Sequence, residues 1–152
     1  MSRLDVKVEP GRITLVGRID DSAHLSQLQP PAGPLVVDTE GVTFVNSVGM
    51  REWIRFVRAL REGGRQLRFE RVADPLMTQM NIIGELRGIP VMSFHAQYLC
   101  NNCGHEDTPL IDAQANLQAL QMLAPPKIPC PECQSPMELA DFPERYLSIF
   151  RS

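Results

Sequence analysis

The sequence predicts an α/β protein in two parts: a mixed β-sheet with helices over residues 1–96, and a small metal-braced module over residues 97–152. Three observations predict it. Strand-type and helix-type periodicities alternate along the first part in the order β-β-α-β-α-β-α-β, which suits a sheet mixing parallel and antiparallel strands. All four cysteines and about half of the thirteen prolines then fall in the last third of the chain. Finally, those cysteines come as two Cys-x-x-Cys pairs, a spacing that metals use.

"LDVKVEPGRITLVGRI", residues 4–19, alternates apolar and polar residues about Pro10–Gly11 and predicts a hairpin. "DDSAHLSQL" opens on capping residues and spaces Leu25 and Leu28 three apart, so a short helix is expected over 20–28. After the loop "PPAGP", the run "LVVDTEGVTFV" at 35–45 predicts a strand buried in mid-sheet. From Ser47 to Leu60, Met50, Trp53, Ile54, Val57 and Leu60 share one helical stripe opposite Arg51, Arg55 and Arg58. Gly63–Gly64 is the expected stop. "RQLRFERV" at 65–72 predicts another strand. "ADPLMTQMNIIGEL" predicts a helix with Asp74 as N-cap, Pro75 next, and apolar residues at 76, 77, 80 and 83 before Gly84. "IPVMSFHAQYL" at 89–99 predicts the last strand, with the domain boundary near residue 96.

At 152 residues and 43% apolar, the chain can bury a real core, and its net charge of −3 argues against binding nucleic acid by bulk electrostatics. The N-terminus is charged from Arg3 and shows no signal-peptide pattern, and the apolar runs are too short to span a membrane. A cytoplasmic protein is therefore expected, where thiols stay reduced and paired cysteines read as metal or redox chemistry before disulfides.

Residues 35–86 together resemble the STAS family, the anti-sigma-factor antagonists. The match is carried by an apolar strand with Asp38, the step Gly41-Val42-Thr43-Phe44, the loop Asn46-Ser47-Val48-Gly49, a helix, a Gly-rich turn, a strand and a short helix ending in Gly84. The family has Asp where this chain has Asn46, and Leu-Gly where it has Met50–Arg51. The resemblance implies a protein-interaction module and no enzyme. It implies that a partner kinase phosphorylates Ser47, and that the unphosphorylated domain binds this kinase and frees a sigma factor or another output protein. It places the partner-binding surface on Asn46, Val48, Gly49, Met50 and Arg51 and on the helix face bearing Arg55 and Arg58.

Ser47 has three readings from its own chemistry. Serine or asparagine before a helix is an ordinary N-cap, so Asn46–Ser47 reads first as a helix cap. A phosphoryl group there would sit on the helix's free N–H groups and positive dipole end, with Arg51 one turn along to pair with it. As a nucleophile it would match the last three positions of Gly-x-Ser-x-Gly, with Val45 in place of the first glycine. The arginine face likewise reads either as solvated surface or as a docking surface for an acidic partner.

Cys100 and Cys103, then Cys130 and Cys133, leave a 26-residue gap between the pairs. Each two-residue spacer turns both sulfurs towards one ion, and four thiolates complete a tetrahedron, so a structural zinc is expected. The pairs resemble the knuckles of zinc ribbons. Redox-active Cys-x-x-Cys pairs and disulfides are the alternatives. His105 reads as a bystander, His95 as a strand residue and His24 as part of the first short helix, the last two without visible partners. In the gap, "DAQANLQALQMLAPP" predicts a helix with Leu117, Leu120 and Leu123 inward, packed on the first sheet. "DFPERYLSIF" predicts a terminal amphipathic helix whose apolar side is Phe142, Tyr146, Ile149 and Phe150, either packed on the ribbon or offered to a partner.

Three function classes follow. The first is a non-enzymatic signalling adaptor that binds a protein partner such as an anti-sigma factor or serine kinase, is switched at Ser47, and is braced by zinc. The second is a transcription-associated protein binding nucleic acid through the ribbon, against which Lys127 stands as the only lysine or arginine from 97 to 143. The third is a serine or thiol enzyme, for which no complete constellation is legible.

Overall fold

Residues 4–25, 28, 30, 32–62, 64–80 and 88–151 are described by a computed structural model. The alternating N-terminal stretch forms β1 (Asp5–Glu9) and β2 (Arg12–Ile19), antiparallel about the Pro10–Gly11 turn. The apolar run forms β3 (Leu35–Val45), parallel to β2. Parallel neighbours need a crossover, and α1 (Ser47–Arg61) supplies it before β4 (Leu67–Glu70), which lies parallel to β3. The mixed sheet thus has the order β1-β2-β3-β4, and the predicted α/β class is the one observed.

α1 buries Met50, Trp53, Phe56, Val57 and Leu60 against the sheet's Ile13, Leu15, Val37 and Phe69. Trp53 sits 5.6 Å from Phe69 and 6.0 Å from Phe56, ring centre to ring centre. Phe56 therefore takes the place expected for Ile54, which is only half-buried, because the sheet lies on the Phe56 flank of the stripe.

β4 is shorter than the strand predicted over 65–72. Arg71 takes a left-handed backbone, φ 49°, which breaks the strand and turns its amide to Ser93 Oγ at 2.9 Å. Next comes α2 (Asp74–Met80). Ala73 O accepts from Leu76 N and Met77 N, so Asp74 is inside the helix and is not its cap. Its carboxylate instead accepts the Tyr146 hydroxyl at 2.6 Å. The expected apolar residue at 83 and the Gly84 stop lie outside the described residues, as does Gly63. In the expected helix over 20–28, the described residues show separate turns, Ala23 N to Asp20 O and Leu28 N to Leu25 O.

The strand predicted over 89–99 is divided. Residues 90–95 run parallel to β4, tied by Phe69 N to Pro90 O, Met92 N to Phe69 O, Val72 N to Ser93 O and His95 N to Val72 O, all within 3.1 Å. This segment contains β5 (Ser93–His95). The chain then makes β6 (Tyr98–Leu99) and β7 (Glu106–Asp107), and returns as β8 (Leu110–Asp112) to pair antiparallel with β5. A strand from between the cysteine pairs thereby extends the first sheet. The boundary expected near residue 96 is crossed by this pairing and by Tyr146, whose hydroxyl also donates to His95 O at 2.9 Å.

α3 (Leu117–Gln121), β9 (Ile128–Pro129), β10 (Pro136–Leu139), α4 (Pro143–Tyr146) and a 3-10 turn, Ser148–Arg151, complete the chain. β7-β6-β10-β9 form a second four-stranded sheet. α3 is one turn long and packs on the 3-10 turn. Leu120 is buried, Leu123 half-buried, and Leu117 more exposed than expected. Tyr146, Ile149 and Phe150 face inward as predicted, Phe150 lying 5.3 Å from Phe94, but Phe142 is 71% exposed. One apolar core runs from Ile13 to Phe150. Among the described residues no helix is long and apolar enough to cross a membrane.

Candidate functional site

The first candidate lies where β3 ends and α1 begins. Asn46 is the N-cap: its backbone is extended and its Oδ1 accepts from Gly49 N at 2.8 Å, satisfying one of the helix's free N–H groups. The reading of Ser47 as the cap is corrected, because a side chain already inside the first turn cannot reach back to cap it. Ser47 is exposed, and its hydroxyl makes no hydrogen bond among the described residues. Val48 beside it is also exposed.

Gly49 is there for close approach. A Cβ at that position would stand 1.8 Å from Ile19 O and 2.3 Å from Ile19 C, both main-chain atoms. Of the expected partner surface, Gly49 and Met50 are buried, Met50 in the core, so neither offers a side chain to a partner. Asn46, Ser47, Val48, Arg51, Arg55 and Arg58 remain on the outside; Arg55 pairs with Glu52 at 3.5 Å. Across the tip, Arg18 lays its guanidinium over Phe44, 3.9 Å from the ring centre, and bonds Asp20 at 3.2 Å.

The second candidate is the cysteine cluster. β6–β7 and β9–β10 are two short hairpins, each ending in a knuckle of the same build. In the first, Cys100 N donates to His105 O and Gly104 N to Cys100 O; in the second, Cys130 N donates to Ser135 O and Gln134 N to Cys130 O. The residue after each second cysteine is left-handed, Gly104 at φ 79° and Gln134 at φ 66°. Glycine takes that conformation without strain, whereas glutamine does so at a cost.

The antiparallel pairing of β6 with β10 brings the knuckles together, and all four sulfurs lie within 4.8 Å of one another. Cys100 and Cys133 Sγ are 3.5 Å apart, Cys103 and Cys130 Sγ 3.6 Å. A tetrahedral ion with bonds of about 2.3 Å needs sulfurs roughly 3.8 Å apart, so the donor set fits a bound metal. Asn102 Nδ2 and Ser135 stabilise the Cys133 thiolate and lower its pKa to about 5. At Cys103 the His105 bond acts in the same direction, but burial and the three neighbouring sulfurs outweigh it and push the thiol up to about 12. Thiolates this close repel one another, and a divalent cation removes that repulsion. His105 supplies a backbone oxygen to the first knuckle and is not a member of the cluster.

A third constellation escaped the sequence reading. Asp38, inside the apolar run, is 1% exposed. It accepts from Arg12 at 2.8 Å, from Arg71 through Nε at 2.9 Å and through Nη2, and from Glu40 N at 3.0 Å. Arg12 also holds Glu70 at 2.9 Å. Burial alone would raise the Asp38 pKa, yet the Glu40 amide and the two guanidinium groups hold it below the usual carboxylate range. His95, expected to lack partners, has two: Nε2 meets Glu40 Oε2 and Nδ1 meets Thr108 O, each at 2.8 Å. The only hint in the sequence was an aspartate where a buried strand wants an apolar residue.

Compared with protein-family models and with curated proteins, the chain matches none.

Proposed function

We propose that this protein is a non-enzymatic interaction module resembling the anti-sigma-factor antagonists, with Ser47 as its switch and a structural zinc among Cys100, Cys103, Cys130 and Cys133. The observation that carries the reading is the division of labour at the α1 tip. Asn46 does the capping, which leaves the Ser47 hydroxyl exposed on the first turn with nothing structural to do. A phosphate there would meet the helix's positive end and set negative charge beside the arginine face, so an acidic partner suited to one state would reject the other. The exposed Val48, Arg51, Arg55 and Arg58 support an acidic protein partner, such as an anti-sigma factor or serine kinase, with the chain working in the cytoplasm.

Zinc is the ion of choice for a closed four-thiolate set. It would hold the two knuckles and leave no position open for substrate. Acidic residues around the knuckles favour a protein partner over nucleic acid. Native mass spectrometry of the protein from its own cells, followed by peptide mapping, tests both halves of the reading. One zinc and a phosphoryl group on Ser47 are expected, with Ser47→Asp losing the partner that wild type captures. Ser47 unmodified under every growth condition, with Ser47→Asp still capturing the same partner, would remove the switch.

A further inference from the structure

Phe142 breaks a local rule. It occupies the N-cap of α4, a position that favours Ser, Thr, Asp or Asn, yet it makes no capping bond and is 71% exposed. Neither helix formation nor core packing explains a phenylalanine there; it is the groove the ring shares with other apolar side chains and two carboxylates that gives it a use.

The ring lines a cavity of about 340 Å³ on the ribbon, with Leu99, Leu139 and Ala140 as further apolar walls and Glu138 and Asp141 as its charged groups. Each carboxylate is half used. Asn101 Nδ2 donates to Glu138 Oε2 at 3.3 Å, and Phe142 N to Asp141 Oδ1 at 2.7 Å. Glu138 Oε1 and Asp141 Oδ2 have no protein partner among the described residues. On β7, Glu106 adds a third carboxylate beside Leu99 in register.

We propose that this cavity binds an arginine- or lysine-bearing segment of a partner protein, its stem and an adjacent apolar residue lying along the walls and its cationic head between Glu138 and Asp141, against the Phe142 ring. An aromatic face beside two carboxylates attracts a cation by both the ring quadrupole and charge, and the apolar walls cover the methylene stem. None of its lining residues belongs to the Ser47 tip, and its carboxylates call for a partner of opposite charge to that proposed for the arginine face of α1.

The test uses the full, metal-loaded, ¹⁵N-labelled chain and a capped Gly-Leu-Arg-Leu-Gly peptide, with the Arg→Glu peptide as control. Amide shifts confined to residues 99–101 and 138–142 are expected, with binding at least tenfold weaker in Phe142→Ala and in Glu138→Gln/Asp141→Asn and unaffected by Ser47→Asp. Any of four results would overturn the proposal: no binding at millimolar peptide, equal binding of the Glu peptide, shifts scattered over other acidic surfaces, or undiminished binding by Phe142→Ala. Concentration-dependent self-association abolished by Glu138→Gln/Asp141→Asn would also overturn it, since the occupant would be a second copy.

Discussion

Replacing Gly49 by alanine tests whether the α1 tip is set by backbone contact. The added Cβ would lie 1.8 Å from Ile19 O, 2.3 Å from Ile19 C and 2.8 Å from Asp20 N. Ordinary contact for such atoms is about 3.5 Å, so the helix start must lift by roughly 1.5 Å. Ile19 cannot yield easily, because it is in register with Val45 and its carbonyl takes the Asn46 amide at 3.2 Å. Overpacking against main chain costs about 3 kcal/mol, the upper end for core insertions. The strained Asn46 bond adds about 1 kcal/mol. Alanine's better helix propensity returns about 1 kcal/mol. The net loss is about 3 kcal/mol, which for a chain of this length lowers Tm by roughly 6–12 °C. Calorimetry of the metal-saturated protein measures it. An unchanged or raised Tm, as propensity alone would give, would show that the close approach to Ile19 is not real.

The cap assignment separates two neighbours: Asn46→Ala should cost about 1 kcal/mol, while Ser47→Ala should cost less than about 0.5 kcal/mol, both by urea unfolding. Chelating the metal should melt the second sheet and also raise hydrogen exchange at Ile111 and Ala113, which lie between the cysteine pairs yet belong to the first core. Exchange confined to the knuckles would contradict that. Asp38→Asn should cost about 2–3 kcal/mol, less than for a fully buried pair because Arg12 and Arg71 are partly exposed. The Asp38 pKa is lowered in the fold, so its contribution is complete above the unfolded value near 3.9 and is lost as pH falls below that towards the folded value. The variant should therefore show a flatter acid limb of stability than wild type.

Periodicity made β2, β3 and α1 legible almost to the residue, because each is long and its two faces meet different surroundings. Cysteine spacing made the cluster legible for a similar reason: two-residue spacers leave the sulfurs few places to point. What stayed hidden depended on partners distant in sequence. Asp74 looked like a cap because the sequence gives no sign that Tyr146, 72 residues on, takes its carboxylate. Arg71 sat in the middle of a plausible strand, and only the pull of Asp38 and the Ser93 hydroxyl accounts for its left-handed turn. β8 was invisible because three residues, Leu110–Asp112, carry too short a pattern to register. The Asn46/Ser47 exchange of roles is finer still, since either residue can cap and the register of the first turn decides.

The placement of apolar side chains says what the second sheet is for. Its strands β6, β7 and β9 are two residues long, too short to hold together by ladder bonds alone. A metal held by the four sulfurs would therefore be the main term closing that sheet. Yet the segment it closes does not keep its best hydrophobes for itself. Ile111 pairs opposite Phe94, Leu120 is fully buried, and Tyr146 and Phe150 pack on Phe94 at 6.5 and 5.3 Å. Without them Phe94, a fully buried ring beside α2, would face water, and Asp74 and His95 O would lose the Tyr146 hydroxyl. Exposing such a ring costs about 2–3 kcal/mol, and losing the one hydroxyl proton that Asp74 and His95 O share costs about 1 kcal/mol more. The two halves of the composition share one core, so folding energy from a metal at the four sulfurs would reach the first sheet through β8 and the C-terminal turn.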